Sequence, residues 1–187
     1  MDAPPPTPSS PDNGATTLNT KGWLGTYFAV HAILSRICLQ LSVAGLMLIT
    51  VSVLYQIFGR YVLNDSPAWT EIFALVLVLY VTCLAAAVGV RDDRHIGVES
   101  ILMLAPPPIR KAGQIVVYLG MIVFGLCMAW GGAILADEMW AYVNPGLPIS
   151  QAWSYIPLAI GGILISLFAV ERIVATLLNI KVVASWH

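Results

Sequence analysis

ICLQLSVAGLMLITVSVLYQIFG, residues 37 to 59, is a run of 23 residues without a charged side chain. As an α-helix it is about 34 Å long, at about 1.5 Å per residue, and a hydrocarbon core is about 30 Å thick. Because lipid offers no hydrogen-bond partner to loose backbone amides, a segment of this kind crosses the membrane as a helix. The run therefore predicts a first transmembrane helix.

Three more apolar runs follow in the chain. Residues 72–90 and 112–136 hold no charge, and the last run starts near Trp153 and continues past Glu171 and Arg172. None shows the ten-residue alternation that is typical of a membrane β-strand. The sequence predicts an all-α membrane protein with four transmembrane helices, at about 37–59, 70–90, 112–136 and 153–178.

The four spans form one predicted membrane domain, residues 23–180. Residues 1–22 are rich in Pro, Ser and Thr, and we expect a disordered tail that lacks the basic and apolar regions of a signal peptide. Residues 181–187 make a short C-terminal tail.

The composition fits a membrane protein. Hydrophobic residues make up 58% of the chain and charged residues 10%, against about 45–50% and about 25% in soluble domains. The net charge of −1 leaves no basic surplus to hold phosphates. These values exclude an ordinary cytosolic enzyme and a nucleic-acid-binding protein, and we expect no catalytic residue and no cofactor.

The basic residues predict the orientation, because Lys and Arg are enriched in cytoplasmic loops. With four spans, both termini lie on one side of the membrane. Arg60 is the one basic residue on the opposite side. We therefore expect both termini and the loop 91–111 in the cytoplasm, with loops 60–71 and 137–155 in the periplasm of a Gram-negative cell. The eight basic residues on the cytoplasmic side are Lys21, Arg36, Arg91, Arg94, Arg110, Lys111, Arg172 and Lys181.

Two segments have the pattern of amphipathic helices that lie in the membrane interface. Trp23 to Arg36 precedes the first span, and His95 to Leu104 precedes three consecutive prolines that end a helix. Each segment could instead extend the neighbouring span. The interfacial interpretation is the one that we favour for both.

Metal and haem sites are not favoured by the cysteines and histidines. Three cysteines lie in apolar runs without ligand spacing, so we expect them to be small buried residues: Cys38, Cys83 and Cys127. Haem would need histidines inside the spans, and the three histidines lie outside the predicted ones: His31, His95 and His187.

Carboxylates are missing from the centres of the spans, which disfavours a self-contained proton-coupled exporter. Glu71 lies at the start of the second span and Glu171 near the end of the fourth. A carboxylate inside the membrane needs a partner, and Arg36 is the candidate for Glu171.

The first outer loop, GRYVLNDSPAWTE at residues 59–71, has the pattern of a turn that ends in a capped helix start. Ser66 is suited to cap the second span. Arg60 either pairs locally with Asp65 or Glu71 or contacts another protein, and the local pair is slightly favoured.

The second outer loop, residues 136–157, combines acidic and aromatic side chains. Asp137 and Glu138 end the third span, and Ser150 can cap the next helix. The aromatic residues suit the membrane interface or a surface on which a soluble partner docks: Trp140, Tyr142, Trp153 and Tyr155.

Three longer motifs resemble a known family. They are QIFGRYVLNDSPAWTE (Gln56–Glu71), RDDRHIGVESILMLAPPPIRK (Arg91–Lys111) and GLPISQAWSYIPLAIGG (Gly146–Gly162). With the spans around them, residues 33 to 178 resemble the small membrane subunit of tripartite ATP-independent periplasmic (TRAP) transporters, the DctQ-like family.

The resemblance implies a scaffold in the inner membrane. Its implied partners are a large permease subunit, which moves the substrate in an elevator-like step driven by a sodium or proton gradient, and a periplasmic protein that delivers an organic acid. The remaining alternative is a membrane anchor of an unrelated redox or signalling complex.

Two sets of residues are candidates for the contacts of such a scaffold. For the contact with the large subunit the candidates are Arg60, Trp69, Glu71, Gly120 and Gly125, together with the small residues Gly131, Gly132, Gly161 and Gly162. For periplasmic docking they are Asp137, Glu138 and Trp140.

Overall fold

Four long helices make up the fold of this computed structural model, which describes residues 23–64, 68–92, 107–144 and 148–178. Each is long and apolar enough to cross a membrane, as predicted. They are α1 (Trp23–Tyr61), α2 (Ala68–Arg91), α3 (Pro107–Glu138) and α4 (Ile156–Leu178), with a short 3₁₀ helix, Gln151–Ser154, before α4.

The first helix is longer than its predicted span. It continues without a break for 39 residues from Trp23, which is about 58 Å at about 1.5 Å per residue. Residues 23–36 therefore extend the first span, and the favoured interpretation of a separate interfacial helix is wrong here. The second such segment, His95 to Leu104, lies outside the described residues, as do both tails.

The helices stand in an open row in the order α1, α2, α4, α3. α4 packs along α2 on one side and along α3 on the other, while α1 packs along α2 and meets α4 only slightly. Across the described ranges, α3 contacts neither α1 nor α2. α4 is consequently the most buried of the four helices.

Small residues let α4 approach its neighbours closely. A Cβ atom added at Gly132 would lie 2.7 Å from the backbone nitrogen of Ala159, and one added at Gly161 would lie 2.7 Å from the Cβ of Cys83. On the other side of α2, Gly45 of α1 faces Val81. Such contacts replace the hydrophobic effect as the source of helix association in lipid.

Two residues of α2 mark the two ends of the row. Arg91 forms an ion pair with Glu171 at one end of the row, and Trp69 lies among aromatic rings at the other. These two residues are 22 positions apart in one helix, or about 33 Å, close to the thickness of a hydrocarbon core. Following the predicted orientation, we call the end of the row at Arg91 the inner edge and the end at Trp69 the outer edge.

The cysteines follow the prediction in two of three cases. Cys38 and Cys83 are buried between helices, but Cys127 is exposed. Cys127 follows Gly125 by two positions on α3, about 200° around the helix, so it faces away from α4. The expectation that Cys127 is buried was therefore wrong.

Candidate functional site

The outer ends of α1 and α2 present two exposed charges of opposite sign. Arg60 lies in the last turn of α1 and Glu71 in the first turn of α2, and both are exposed. Within the described residues they form no ion pair with each other, and Asp65 lies outside those residues. The favoured local pair between Arg60 and Glu71 is therefore absent, and both charges face the surroundings.

Aromatic ring contacts join α1 and α2 beside this turn. The ring of Trp69 lies 6.3 Å from that of Tyr55 and 6.4 Å from that of Phe73, measured between centroids. Trp69 nevertheless keeps 43% of its surface exposed, while the adjacent Thr70 is fully buried. Asn64 has a left-handed φ of 51°, a conformation that Asn tolerates well, and it lies three residues past the end of α1. The predicted cap, Ser66, lies outside the described residues.

The two candidate glycines on α3 have different surroundings. A Cβ atom at Gly125 would lie 2.5 Å from the Ser166 hydroxyl oxygen and 2.7 Å from the Gly162 carbonyl oxygen, whereas one at Gly120 would meet nothing within 4 Å. Gly125 thus serves the packing of α3 on α4 within this chain, as Gly132 does. Gly120 and Gly131, which is also open, remain available to a second subunit.

Backbone hydrogen bonds close the second outer loop. The Asn144 amide donates to the Ile149 carbonyl over 3.0 Å, and the Gln151 amide donates to the Tyr142 carbonyl over 2.7 Å. The Ser150 hydroxyl donates to the Trp140 carbonyl over 2.8 Å and accepts from the Ala152 amide over 3.2 Å. Ser150 therefore caps the 3₁₀ helix, as predicted, and ties it to the end of α3.

The candidate docking residues lie on the outside of this closed loop. Asp137 and Glu138, at the end of α3, are exposed, and Trp140 has 63% of its surface exposed. The Trp140 amide donates to the Asp137 carbonyl over 3.2 Å, so the three residues lie on one turn of backbone. Further exposed aromatic side chains of this loop are Tyr142 and Trp153.

A buried ion pair joins α2 and α4 at the inner edge. Nε of Arg91 donates to Oε2 of Glu171 over 3.2 Å, and a terminal nitrogen of Arg91 donates to Oε1 over 3.5 Å. The exposed fractions of the side chains are 2% and 0%. Arg91 also lies 3.9 Å from a carboxylate oxygen of Asp92. The arrangement is the two-pronged match of guanidinium and carboxylate.

The first helix adds aromatic rings next to this pair. His31 of α1 is buried, and its ring centroid lies 6.1 Å from that of Phe168, which is fully buried one turn before Glu171. Nδ1 of His31 lies 2.9 Å from the carbonyl oxygen of Tyr27, and the Tyr27 ring lies 4.2 Å from the His31 ring.

Sequence reasoning missed the pair because it chose Arg36 as the partner of Glu171. The observed partner is Arg91, which comes from the adjacent helix rather than from α1. Sequence reasoning also placed His31 outside the spans, and the structure places it inside α1. Among the described residues, no three His, Cys, Asp or Glu side chains are grouped so as to hold a metal ion.

Comparison with known proteins gives one consistent family. The family model for the DctQ component of tripartite ATP-independent periplasmic transporters matches residues 49–179 of this chain. A putative TRAP transporter small permease protein from Haemophilus influenzae is 22% identical over 66% of this chain and 74% of its own length.

Two proteins of Vibrio cholerae are similar as well. The C4-dicarboxylate TRAP transporter small permease protein DctQ is 24% identical over 52% of this chain and 39% of its own length. The sialic acid TRAP transporter small permease protein SiaQ is 25% identical over 64% of this chain and 69% of its own length. With a family match that covers most of the four-helix row, the chain belongs to the DctQ component family of TRAP transporters.

Proposed function

We propose that this chain is the stationary scaffold of a TRAP transporter, holding a large permease that takes up an organic acid delivered by a periplasmic binding protein. The family makes the chain a transporter component of the inner membrane that associates with these two partners. The scaffold role and the substrate class are the proposal.

The open row of helices is the observation that carries the scaffold role. A closed four-helix bundle buries most of its apolar surface in its own core, but this row leaves most of the apolar surface of α1 and α3 exposed. Even α4, the most buried helix, keeps a row of exposed apolar side chains at helical spacing: Ile160, Ile163, Leu167 and Val170. An open row with this much exposed apolar surface can meet lipid with one part of that surface and a membrane partner with another.

Elevator-like transport gives such a row a mechanical purpose. One part of the transporter must stay fixed in the bilayer while another part moves through it. Four helices side by side widen the fixed part, and the long α1 extends it beyond the inner edge. A wide body resists tilting better than a single helix does, since more helices are anchored in both leaflets.

The outer turn between α1 and α2 is the proposed charged contact with the large permease. Arg60 and Glu71 are exposed and do not pair with each other within the described residues. Trp69 lies between them in the chain and is held by two aromatic neighbours. A rigid aromatic residue flanked by charges suits a specific protein contact.

The second outer loop is the proposed docking site for the binding protein. Its backbone is fixed by hydrogen bonds, so Asp137, Glu138 and Trp140 are held in place before a partner arrives. Preorganisation of this kind lowers the entropy lost on binding.

The substrate class rests on the relatives. Two of them are named for C4-dicarboxylates and for sialic acid, which are organic acids. We propose an organic acid for this transporter too, bound by the large permease and not by this chain.

Co-purification followed by reconstitution tests the proposal. The tagged chain is extracted from its native membrane in mild detergent, and its partners are identified by mass. We expect a large polytopic permease in a one-to-one complex. Proteoliposomes that hold the complex should accumulate a radiolabelled organic acid when the binding protein and an ion gradient are both supplied. Recovery of the chain alone, or with a redox enzyme, contradicts the proposal.

A further inference from the structure

The inner edge of the row holds a connection that the scaffold role does not require by itself. Arg91 and Glu171 are 80 positions apart in the chain, and both are almost completely buried. A buried ion pair is weak support for stability as such, because two charges lose their hydration. Its better attested use is to specify one arrangement of helices over others.

Nothing in the chain connects α2 and α4 directly. α2 leads into α3, and α3 leads into α4 from the far side of the row. The two helices run in the same direction, since Cys83 meets Gly161 and Arg91 meets Glu171 further along both. Their relative height is therefore set by side-chain contacts alone.

Apolar packing also contributes to that height, since Val88 of α2 and Leu164 and Phe168 of α4 belong to one buried cluster. At the level of Cys83 and Gly161 the two helices meet through small side chains. Small apolar surfaces allow close approach but resemble one another from turn to turn. A shift by one turn would separate the Arg91 guanidinium from the Glu171 carboxylate, both in a poorly hydrated place.

We propose that Arg91 and Glu171 form a register lock, which fixes α2 against α4 and makes the four helices move as one body. The third member is α1. Its His31 packs on Phe168, one turn from Glu171, so that three helices meet at this level. Helices α1 and α3 then keep their positions at the two ends of the row.

Native thiols provide a direct readout. Cys83 is buried at the contact between α2 and α4, so its reaction with a membrane-permeant maleimide requires that contact to open. Replacing Cys38 and Cys127 by Ala leaves Cys83 as the single thiol of the full chain. A parallel chain that keeps only the exposed Cys127 controls for access of the reagent.

Four variants of the Cys83 chain test the lock in detergent. Glu171→Gln removes the negative charge with little change of shape. Arg91→Lys keeps the positive charge but removes the two-pronged hydrogen bonding of the guanidinium. Arg91→Glu combined with Glu171→Arg exchanges the two charges. Lys111→Gln removes an exposed charge near the start of α3 and is the matched control.

We expect Glu171→Gln to speed the labelling of Cys83 about tenfold or more and Arg91→Lys to speed it less, because local opening becomes more populated. The charge exchange should return the rate to within about threefold of the parent, and Lys111→Gln should not change it. Parental rates in both single variants overturn the proposal. If the single variants fail to fold, recovery of folding by the charge exchange supports the lock, and failure to recover overturns it.

The register lock is a property of the chain alone. Only its use in a stationary scaffold rests on the proposed function. Loss of the lock therefore appears in thiol labelling of the isolated chain. Failure of the proposed function appears instead in the absence of a co-purifying permease. The two outcomes are independent.

Discussion

Arg91 and Glu171 face each other across the α2–α4 contact, with Nε of the arginine 3.2 Å from Oε2 of the carboxylate and neither side chain open to solvent. The pair lies at the inner edge of the row. A charge there that loses its partner is left buried without compensation. The pair is consequently a sensitive point of the fold.

Removing one partner should destabilise the chain far more than removing both. Arg91→Ala leaves the carboxylate of Glu171 buried and unpaired, and breaking a buried pair in this way costs about 3–5 kcal/mol. Arg91→Met combined with Glu171→Leu removes both charges of the pair and should cost less, although the Asp92 carboxylate then loses its 3.9 Å contact with Arg91. Unfolding in mixed micelles with an increasing share of denaturing detergent measures the free energy of unfolding of the single and the double variant. Equal losses in the single and the double variant would show that the pair does not act as a unit.

Close packing between α3 and α4 should make Gly162 intolerant of a side chain. A Cβ atom at Gly162 would overlap the Gly125 carbonyl oxygen and lie 2.5 Å from the Ala129 backbone nitrogen, and backbone cannot move aside cheaply. We expect Gly162→Ala to destabilise the chain by about 1–3 kcal/mol, the usual range for overpacking. The midpoint of thermal unfolding in detergent gives the measurement.

Gly120→Ala is the matched control for this packing. Gly120 lies on the same helix as Gly125, and its added Cβ atom would meet nothing within 4 Å. Alanine is also the better helix former, by about 0.5–1 kcal/mol. The isolated chain should therefore keep or gain stability. A loss as large as that of Gly162→Ala would contradict the observed α3–α4 interface.

The prediction of four spans succeeded because a long run without charge has few structural alternatives in a membrane. The order in which the helices pack could not be predicted, since hydropathy does not report which helices are in contact. That order decides the partner of Glu171: α2 lies along α4, whereas α1, which carries Arg36, meets α4 only slightly.

The candidate contact residues were hard to predict for a similar reason, because the sequence does not report which face of a helix meets a neighbouring helix. Gly120 and Gly125 are five positions apart, or about 140° around α3, so one faces α4 while the other is open. Composition alone makes them equal candidates. Ser150 was predictable as a cap because capping depends on local chain chemistry.

Ser150→Ala should loosen the second outer loop without disturbing the spans. The hydroxyl accepts from the Ala152 amide and donates to the Trp140 carbonyl, and loss of such a cap costs about 1 kcal/mol. Amide hydrogen exchange should rise about fivefold for the 3₁₀ helix, as expected for an opening made easier by that amount. Exchange in the middle of α3 and α4 should stay unchanged. Faster exchange throughout α4 would mean that Ser150 supports the helix as a whole.

Charge reversal at the outer turn should separate the chain from the large permease. Arg60→Glu combined with Glu71→Lys reverses both exposed charges while Trp69 keeps its aromatic neighbours. Like charges brought together at an interface cost several kcal/mol, so the yield of co-purified permease should fall at least about tenfold. The stability of the isolated chain serves as the control and should not change. Undiminished recovery of the permease would place the subunit contact elsewhere on the row.

Charge reversal at the second outer loop should weaken docking of the binding protein and leave the membrane complex intact. Asp137 and Glu138 are exposed at the end of α3, where rim charges act mainly on the rate of association. For Asp137→Lys combined with Glu138→Lys we expect association with the binding protein to slow about tenfold at low salt and much less at high salt, because salt screens exposed charges. Surface plasmon resonance on the reconstituted complex measures the rate at both ionic strengths. The permease should co-purify as before, which distinguishes docking from assembly. An association rate that is unchanged at low salt would show that these carboxylates do not meet the binding protein.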